Sequence, residues 1–333
     1  MKYFMSLVLI VILAGCGQDN NSIILVDRNR NKIVDVQNNI HIIEPEDVII
    51  SNVSYLKVMG DYIVIPDRQS PSKLVHLFDK NTFKYIGSTG DLGQGPDEIS
   101  SMASVAYDEN RNELQVVDYG SRRIYCFNID SIGKNPDYLP TTRFRLREDV
   151  YPYEYHYIND TLSYGAYIVP QGYMSYNVKI GKWNMQTGDV KLHEYEYPGI
   201  LENNVVYDYS EKQDLIVECS NSYDLINYFD SNLNLRLRIM GPNWDKKGDK
   251  KQHFLSVVIY KNWVIASYDG EKYSDNQMPK VCHVFDMNGK YIKTLDVGYK
   301  IWRMSVDEEK DRLYFSFLDS FTLGYLDLKG ILD

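Results

Sequence analysis

Lys73-Leu74-Val75-His76-Leu77-Phe78-Asp79 and Lys280-Val281-Cys282-His283-Val284-Phe285-Asp286 match almost position for position, although they lie near opposite ends of the chain. Asp224 to Asp230 (DLINYFD) is a third copy and Arg123 to Asp130 (RIYCFNID) a looser fourth. Ile180 to Asn184 (IGKWN) and Leu323 to Asp327 (LGYLD) complete the series. The closing Asp or Asn falls at 79, 130, 184, 230, 286 and 327, a period of about fifty residues, which is the range of propeller blades. Each copy is a short apolar run ended by turn formers, the pattern of a buried strand. Six such units predict an all-β, six-bladed β-propeller with about four strands per blade. One blade has two apolar faces and covers neither alone; stacking around an axis buries both.

Working outward, SVAYDE (104–109), ELQVVD (113–118), RIYCFNID and TTRFRLR (141–147) read as the inner-to-outer strands of the second unit. The sixth unit ends at Asp333 with no room for an outer strand. IILVDRNRNKIVDVQ (23–37) has strand character and is expected to pair onto the last blade and close the ring. An open sheet edge there would invite aggregation. No composition break or Pro/Gly/Ser linker supports two separate β domains, so 23–333 reads as a single propeller domain.

The start of the chain gives an address. Lys2 is followed by the apolar run Phe4 to Leu13 and then Leu13-Ala14-Gly15-Cys16. The run is too short to span a bilayer and fits a secretory signal over residues 1–15. An ordinary cleaved signal with a chance cysteine is the alternative. Acidic residues outnumber basic ones 46 to 36, and the sequence pI is near 5.2. No basic cluster exceeds Lys246-Lys247 and Lys250-Lys251, which excludes a nucleic-acid footprint. Cys126, Cys219 and Cys282 sit inside strand-like runs and read as buried thiols.

GDLGQGPDEIS (90–100) and LQVVDYGSRRIYCFNID (114–130) look like the glycine-rich turn and repeat core of NHL-type propellers. With the lipobox-like LAGC, the chain resembles the TolB-like, NHL-like six-bladed propeller lipoproteins of Gram-negative bacteria. The resemblance is clear over about 53–130 and departs at Asp97, where the family usually has glycine. It implies lipidation of Cys16, residues 16–22 as a tether, and membrane lipid as a partner through the acylated Cys16. Gly17-Gln18-Asp19 lacks aspartate directly after the lipid cysteine, which favours the outer membrane. The resemblance implies no agreed chemistry.

Candidate site residues follow from the propeller reading. Gly90, Gly93 and Gly95 permit an anion-holding nest of amides, or simply a turn between blades. In NHL-like propellers the turns after the second strands share a face with the blade-to-blade links. That face is expected to carry Asp67, Arg68, Asp97, Glu98, Asp118, Tyr119, Arg122, Arg123, Tyr268 and Asp269. Starts of inner strands ring the channel mouth, giving Glu154, Asn204, His253 and Arg303. The ligand-binding set is therefore Glu98, Arg122, Glu154, Asn204, His253 and Arg303. Tyr151, Tyr153, Tyr155 and Tyr157 alternate and would share one strand face, for stacking on sugars or for packing between blades. His76 and His283 occupy equivalent positions, so repetition explains them better than metal binding. Asp130-Ser131-Ile132 and Asp160-Thr161-Leu162 resemble short bacterial O-glycosylation sequons.

No catalytic triad, phosphate loop or dinucleotide motif occurs, so the first functional reading is a non-catalytic envelope protein binding a protein or oligosaccharide. The alternative is a propeller enzyme, a lactonase or polysaccharide lyase, with a divalent cation at the axis. Lactonase-like propellers need three or four inward ligands, and only Glu154 and Asn204 are obvious. No cofactor is otherwise called for.

Overall fold

The structure is a computed structural model that describes residues 22–27, 29–45, 47–51, 54–135, 138–149, 151–172, 175–195, 203–242, 244, 252–271, 278–319 and 322–332. Cys16, the leader, most of the tether and the lysine pairs lie outside the described residues. Three N-terminal strands, β1 (Ile23–Val26), β2 (Ile33–Asp35) and β3 (Ile40–Ile43), precede the first blade. Blade one is β4 (Lys57–Met59), β5 (Tyr62–Pro66), β6 (Lys73–Asp79) and β7 (Tyr85–Asp91). Blade two is β8 (Met102–Asp108), β9 (Glu113–Asp118), β10 (Arg123–Asn128) and, after the helical turn α1 (Ile129–Ile132), β11 (Thr141–Arg145). Blade three is β12 (Tyr151–Asn159), β13 (Leu162–Gly172), β14 (Ser175–Asn184) and β15 (Asp189–Leu192). Blade four is β16 (Val205–Ser210), β17 (Leu215–Ser220), β18 (Leu225–Phe229) and β19 (Leu235–Met240). Blade five is β20 (Phe254–Tyr260), β21 (Trp263–Tyr268), β22 (Val281–Asp286) and β23 (Tyr291–Asp296). Blade six has β24 (Ile301–Asp307), β25 (Arg312–Phe317) and β26 (Leu323–Asp327). Consecutive strands within each blade pair antiparallel, and the six sheets are those read from the repeat.

The core shows why the sheets close into a ring. Six apolar clusters exist among the described residues, and each is shared by one pair of neighbouring blades. In β22, Cys282 and Val284 pack toward blade six, whereas Phe285 packs toward blade four. In β6, Val75 and Leu77 face blade two while Phe78 faces blade six. The period-two alternation of the repeat thus feeds both interfaces of every blade. Each wholly buried Leu, Ile or Phe contributes ~1.5–3 kcal/mol, so the interfaces dominate stability. The three inner cysteines are buried and unpaired, as their apolar flanks predict.

The ring is closed by an N-terminal strand, but not by the expected one. β3 supplies the outer strand of blade six, antiparallel to β26 with Ile40 opposite Leu326 and Ile42 opposite Gly324. Residues 23–37 instead add parallel fifth strands: β1 on β19 and β2 on β23. The reason is chain length. The segment nearest to blade one must also be the one beside blade six, so earlier residues are carried back along the rims of blades five and four.

In blades one, three, four and five the closing Asp or Asn is a turn-closing acceptor. Asp79 accepts the Thr82 amide at 2.8 Å, Asp230 the Asn232 amide at 2.8 Å, and Asp286 the Asn288 amide at 2.9 Å. In blade two the equivalent residue is Asn128 rather than Asp130. Asn128 caps α1 by accepting the Ser131 amide at 3.1 Å, which shifts the apparent repeat by two positions. No helix among the described residues is long and apolar enough to cross a membrane.

Candidate functional site

The inner strands leave one edge unpaired toward the axis, and their amides need acceptors. Side chains of the neighbouring blade supply them. Ser256 Oγ accepts from the Met304 amide at 2.9 Å, Ser305 Oγ from Val58 at 2.9 Å, and Asp208 Oδ2 from Ile259 at 2.7 Å. The axis is therefore lined by a stitched ring with a cavity of about 490 Å³ that all six inner strands border.

Four inner strands carry a register shift at the same height: between Met102 and Val105, Pro152 and Glu154, Phe254 and Val257, and Ile301 and Arg303. A bulge inserts an extra residue and re-aims its side chain. In blades three, five and six the extra residues include Tyr153, Leu255 and Trp302, and all three border a second cavity of about 360 Å³ at the channel mouth. Asn204, Asn221, Gln252 and Arg303 border the same cavity. Tyr176 stands at its edge, 44% exposed.

Between the two cavities, side chains cross the lumen. Lys57 of blade one forms an ion pair with Glu154 of blade three. Arg303 of blade six donates from Nη2 to the Tyr153 hydroxyl at 3.3 Å, and from Nη1 to the Leu255 carbonyl at 2.9 Å. Its guanidinium also lies 4.6 Å from the centre of the Trp302 ring. Burial pushes the Glu154 carboxyl up, but Lys57 outweighs it and holds the group below its ordinary range. Lys57 is correspondingly raised by Glu154 against the burial that would lower it. Arg68 donates to the Ala103 carbonyl at the blade-two bulge. Burial raises the Tyr55 phenol, and Lys57, Arg68 and Arg303 pull it back, so one phenol senses all three cations.

Of the six residues expected at the mouth, the structure brings Asn204 and Arg303 to one cavity and places Glu154 just beneath it. His253 sits at the start of an inner strand, but its side chain is buried against Tyr268 rather than lining either cavity. Glu98 and Arg122 are off the channel. Glu98 turns back and accepts the Gly95 amide at 2.7 Å, and a Cβ on Gly93 would meet its carboxylate at 1.9 Å. The glycine-rich nest is thus filled by the chain's own carboxylate, and only Gly90 there needs a positive φ, at +76°. Arg122 reaches outward to Glu148 at 2.6 Å.

Asp67 and Asp118 on the same face fasten the link into their own blade. Asp67 accepts the Ser51 amide at 2.7 Å and Asp118 the Ser101 amide at 2.7 Å. Asp319 repeats the device with Lys300 at 2.5 Å. The tyrosine row does not stay on one face, because the bulge after Pro152 interrupts its alternation. Tyr155 and Tyr157 pack toward blade two, Tyr153 toward blade four and the mouth. His76 and His283 match in detail: each ring Nδ1 meets a hydroxyl, Ser88 at 2.7 Å or Thr294 at 2.9 Å. Tyr85 and Tyr291 bond those same hydroxyls. The sequence reading missed Trp302, Lys57 and Tyr55; their position at inner-strand starts was the available signal. Among the described residues, no group of three or more His, Cys, Asp or Glu stands at metal-binding spacing.

Comparison with known proteins agrees with this architecture. A solved member of the DUF4221 family from Bacteroides vulgatus is 14% identical, with a TM-score of 0.57 over 87% of this chain and 98% of that one. A "Putative exported protein" of Bacteroides fragilis is 10% identical, with a TM-score of 0.55 over 88% of each chain. These likenesses show the fold. No curated protein matches the sequence. The family described as a 6-bladed beta-propeller, DUF5128, matches residues 17–218, well over half of the chain. The chain belongs to the DUF5128 family of six-bladed β-propellers.

Proposed function

We propose that this chain is a cell-envelope lipoprotein, anchored in the outer membrane through acylated Cys16, whose propeller binds an oligosaccharide or a protein segment at the channel mouth without transforming it. The observation that carries the reading is the mouth itself. Flat rings of Tyr153 and Trp302 stand beside the amides of Asn204 and Gln252 and the Arg303 guanidinium around one cavity. Aromatic faces stack on sugar or side-chain rings, and amides fork onto paired hydroxyls or backbone groups. Similarity to a protein described as exported, and the signal-like leader, support the envelope address.

The lactonase alternative needs inward ligands for a cation. Glu154, its best candidate, already faces the Lys57 ammonium, which occupies the carboxylate and adds positive charge where a cation would sit. Binding is tested by titrating the full mature protein against envelope oligosaccharides and peptides, with Tyr153→Ala alongside. A ligand that saturates and is lost in Tyr153→Ala supports the reading; turnover of a lactone or polysaccharide that depends on Glu154 overturns it.

A further inference from the structure

Among the described residues, the mouth cavity is lined by one cation, Arg303, and by no carboxylate. The chain carries a net charge of −10, and the channel's carboxylates, Glu154, Asp208, Glu211 and Glu308, border the cavity beneath the mouth rather than the mouth itself. Arg303 is held by the Leu255 carbonyl and, among the described residues, has no carboxylate at ion-pair distance. Neutral carbonyls orient a guanidinium without cancelling its charge. A second observation points the same way. Trp302 Nε1 is buried at the mouth and meets no hydrogen-bond acceptor among the described residues. An orphaned buried donor is costly unless a ligand completes it. The open valences at this site are thus donors on cations or on indole, and an anionic acceptor satisfies both.

We infer that the mouth takes a carboxylate-bearing saccharide, a uronic-acid unit, with the carboxylate beside Arg303 and the Trp302 indole N–H and the sugar ring near Tyr153. Guanidinium planes match carboxylates bidentately, and the rings nearby suit a pyranose better than a bare anion. This inference rests on reading the mouth as a binding site, and it adds the charge and class of what binds.

The test is calorimetric titration of the full mature protein with digalacturonate, with the same disaccharide methyl-esterified at both carboxylates, and with a tripeptide bearing a free C-terminus. The expected result is saturable binding of the acid that weakens with salt and falls about tenfold or more in the ester. Arg303→Gln should bring the acid toward the ester's affinity. The esterified probe uses unaltered protein, so a folding defect in the variant does not decide the outcome. Equal binding of acid and ester, or binding of neither, overturns the inference. Binding of the tripeptide alone assigns the anion to a peptide and overturns the saccharide. A neutral ligand lost in Tyr153→Ala but indifferent to Arg303→Gln keeps the binding function and overturns only its acidic character.

Discussion

Arg30 Nη1 donates to Asp224 Oδ1 at 2.8 Å, joining the N-terminal strap to the turn between the second and third strands of blade four. Arg30 also donates to Asp27 at 2.8 Å and lies 5.4 Å from the ring centres of Tyr268 and Phe285. Both charged side chains are almost wholly buried. Removing Asp224 leaves Arg30 with Asp27 as its remaining carboxylate and takes away one buried charge-assisted hydrogen bond, which costs about 1.5–3 kcal/mol. Asp224→Ala should lower the unfolding free energy by that order in urea denaturation. A loss below about 1 kcal/mol would show that the strap is dispensable to blade four.

The strap and the closing strand are separable. Deleting residues 22–36 removes two edge strands yet leaves β3 on blade six, so a folded but less stable protein is expected. Extending the deletion through residue 43 also removes Ile43 from the interface between blades six and one. That protein should lose its single cooperative thermal transition and aggregate. Equal melting temperatures for the two deletions would contradict the assignment of β3 as the closing strand.

Burial lowers the pKa of both repeat histidines, against the pull of Asp67 at His76 and with Arg30 adding to the effect at His283, which falls well below its ordinary value. A folded pKa below the unfolded value means the unfolded chain takes up protons first. Their contribution is therefore complete above the ordinary histidine range, near pH 6.5, and is lost as pH falls below it. The melting temperature should drop from pH 7 to pH 5, and His283→Asn should flatten part of that slope. An unchanged slope in the variant would remove His283 from the account.

How much of this was legible in the sequence follows from period and from bulges. Val75, Val284 and Phe285 announce the blades because alternation in a strand is a local property, and repetition makes it unmistakable. The strand that closes the ring was misassigned because IILV and IHII have the same local character, and which one reaches blade six depends on distance around the ring. Tyr153 and Trp302 were not separable from their strands, since a bulge depends on pairing across the sheet. Glu98 looked available because charge is visible in sequence and the Gly95 amide that consumes it is not.

Lipidation has a direct readout. Labelled palmitate should enter the wild-type protein in its native envelope and be absent from Cys16→Ser, which should fractionate away from membranes. Membrane retention of the unlabelled variant would remove the lipid anchor from the account.

The Lys57–Glu154 ion pair predicts indifference to divalent metals. Calcium, zinc and EDTA should each leave the melting temperature within about a degree, because the carboxylate is already engaged. A calcium-dependent rise abolished by Glu154→Gln would return the channel to the enzyme reading.

The most direct measurement is a crystal structure of the protein with a bound oligosaccharide identified by titration. The account predicts the sugar in the mouth, its ring against Tyr153 or Trp302 and a polar group on Arg303. A ligand seated on the outer rim, with the mouth holding only water, would contradict it.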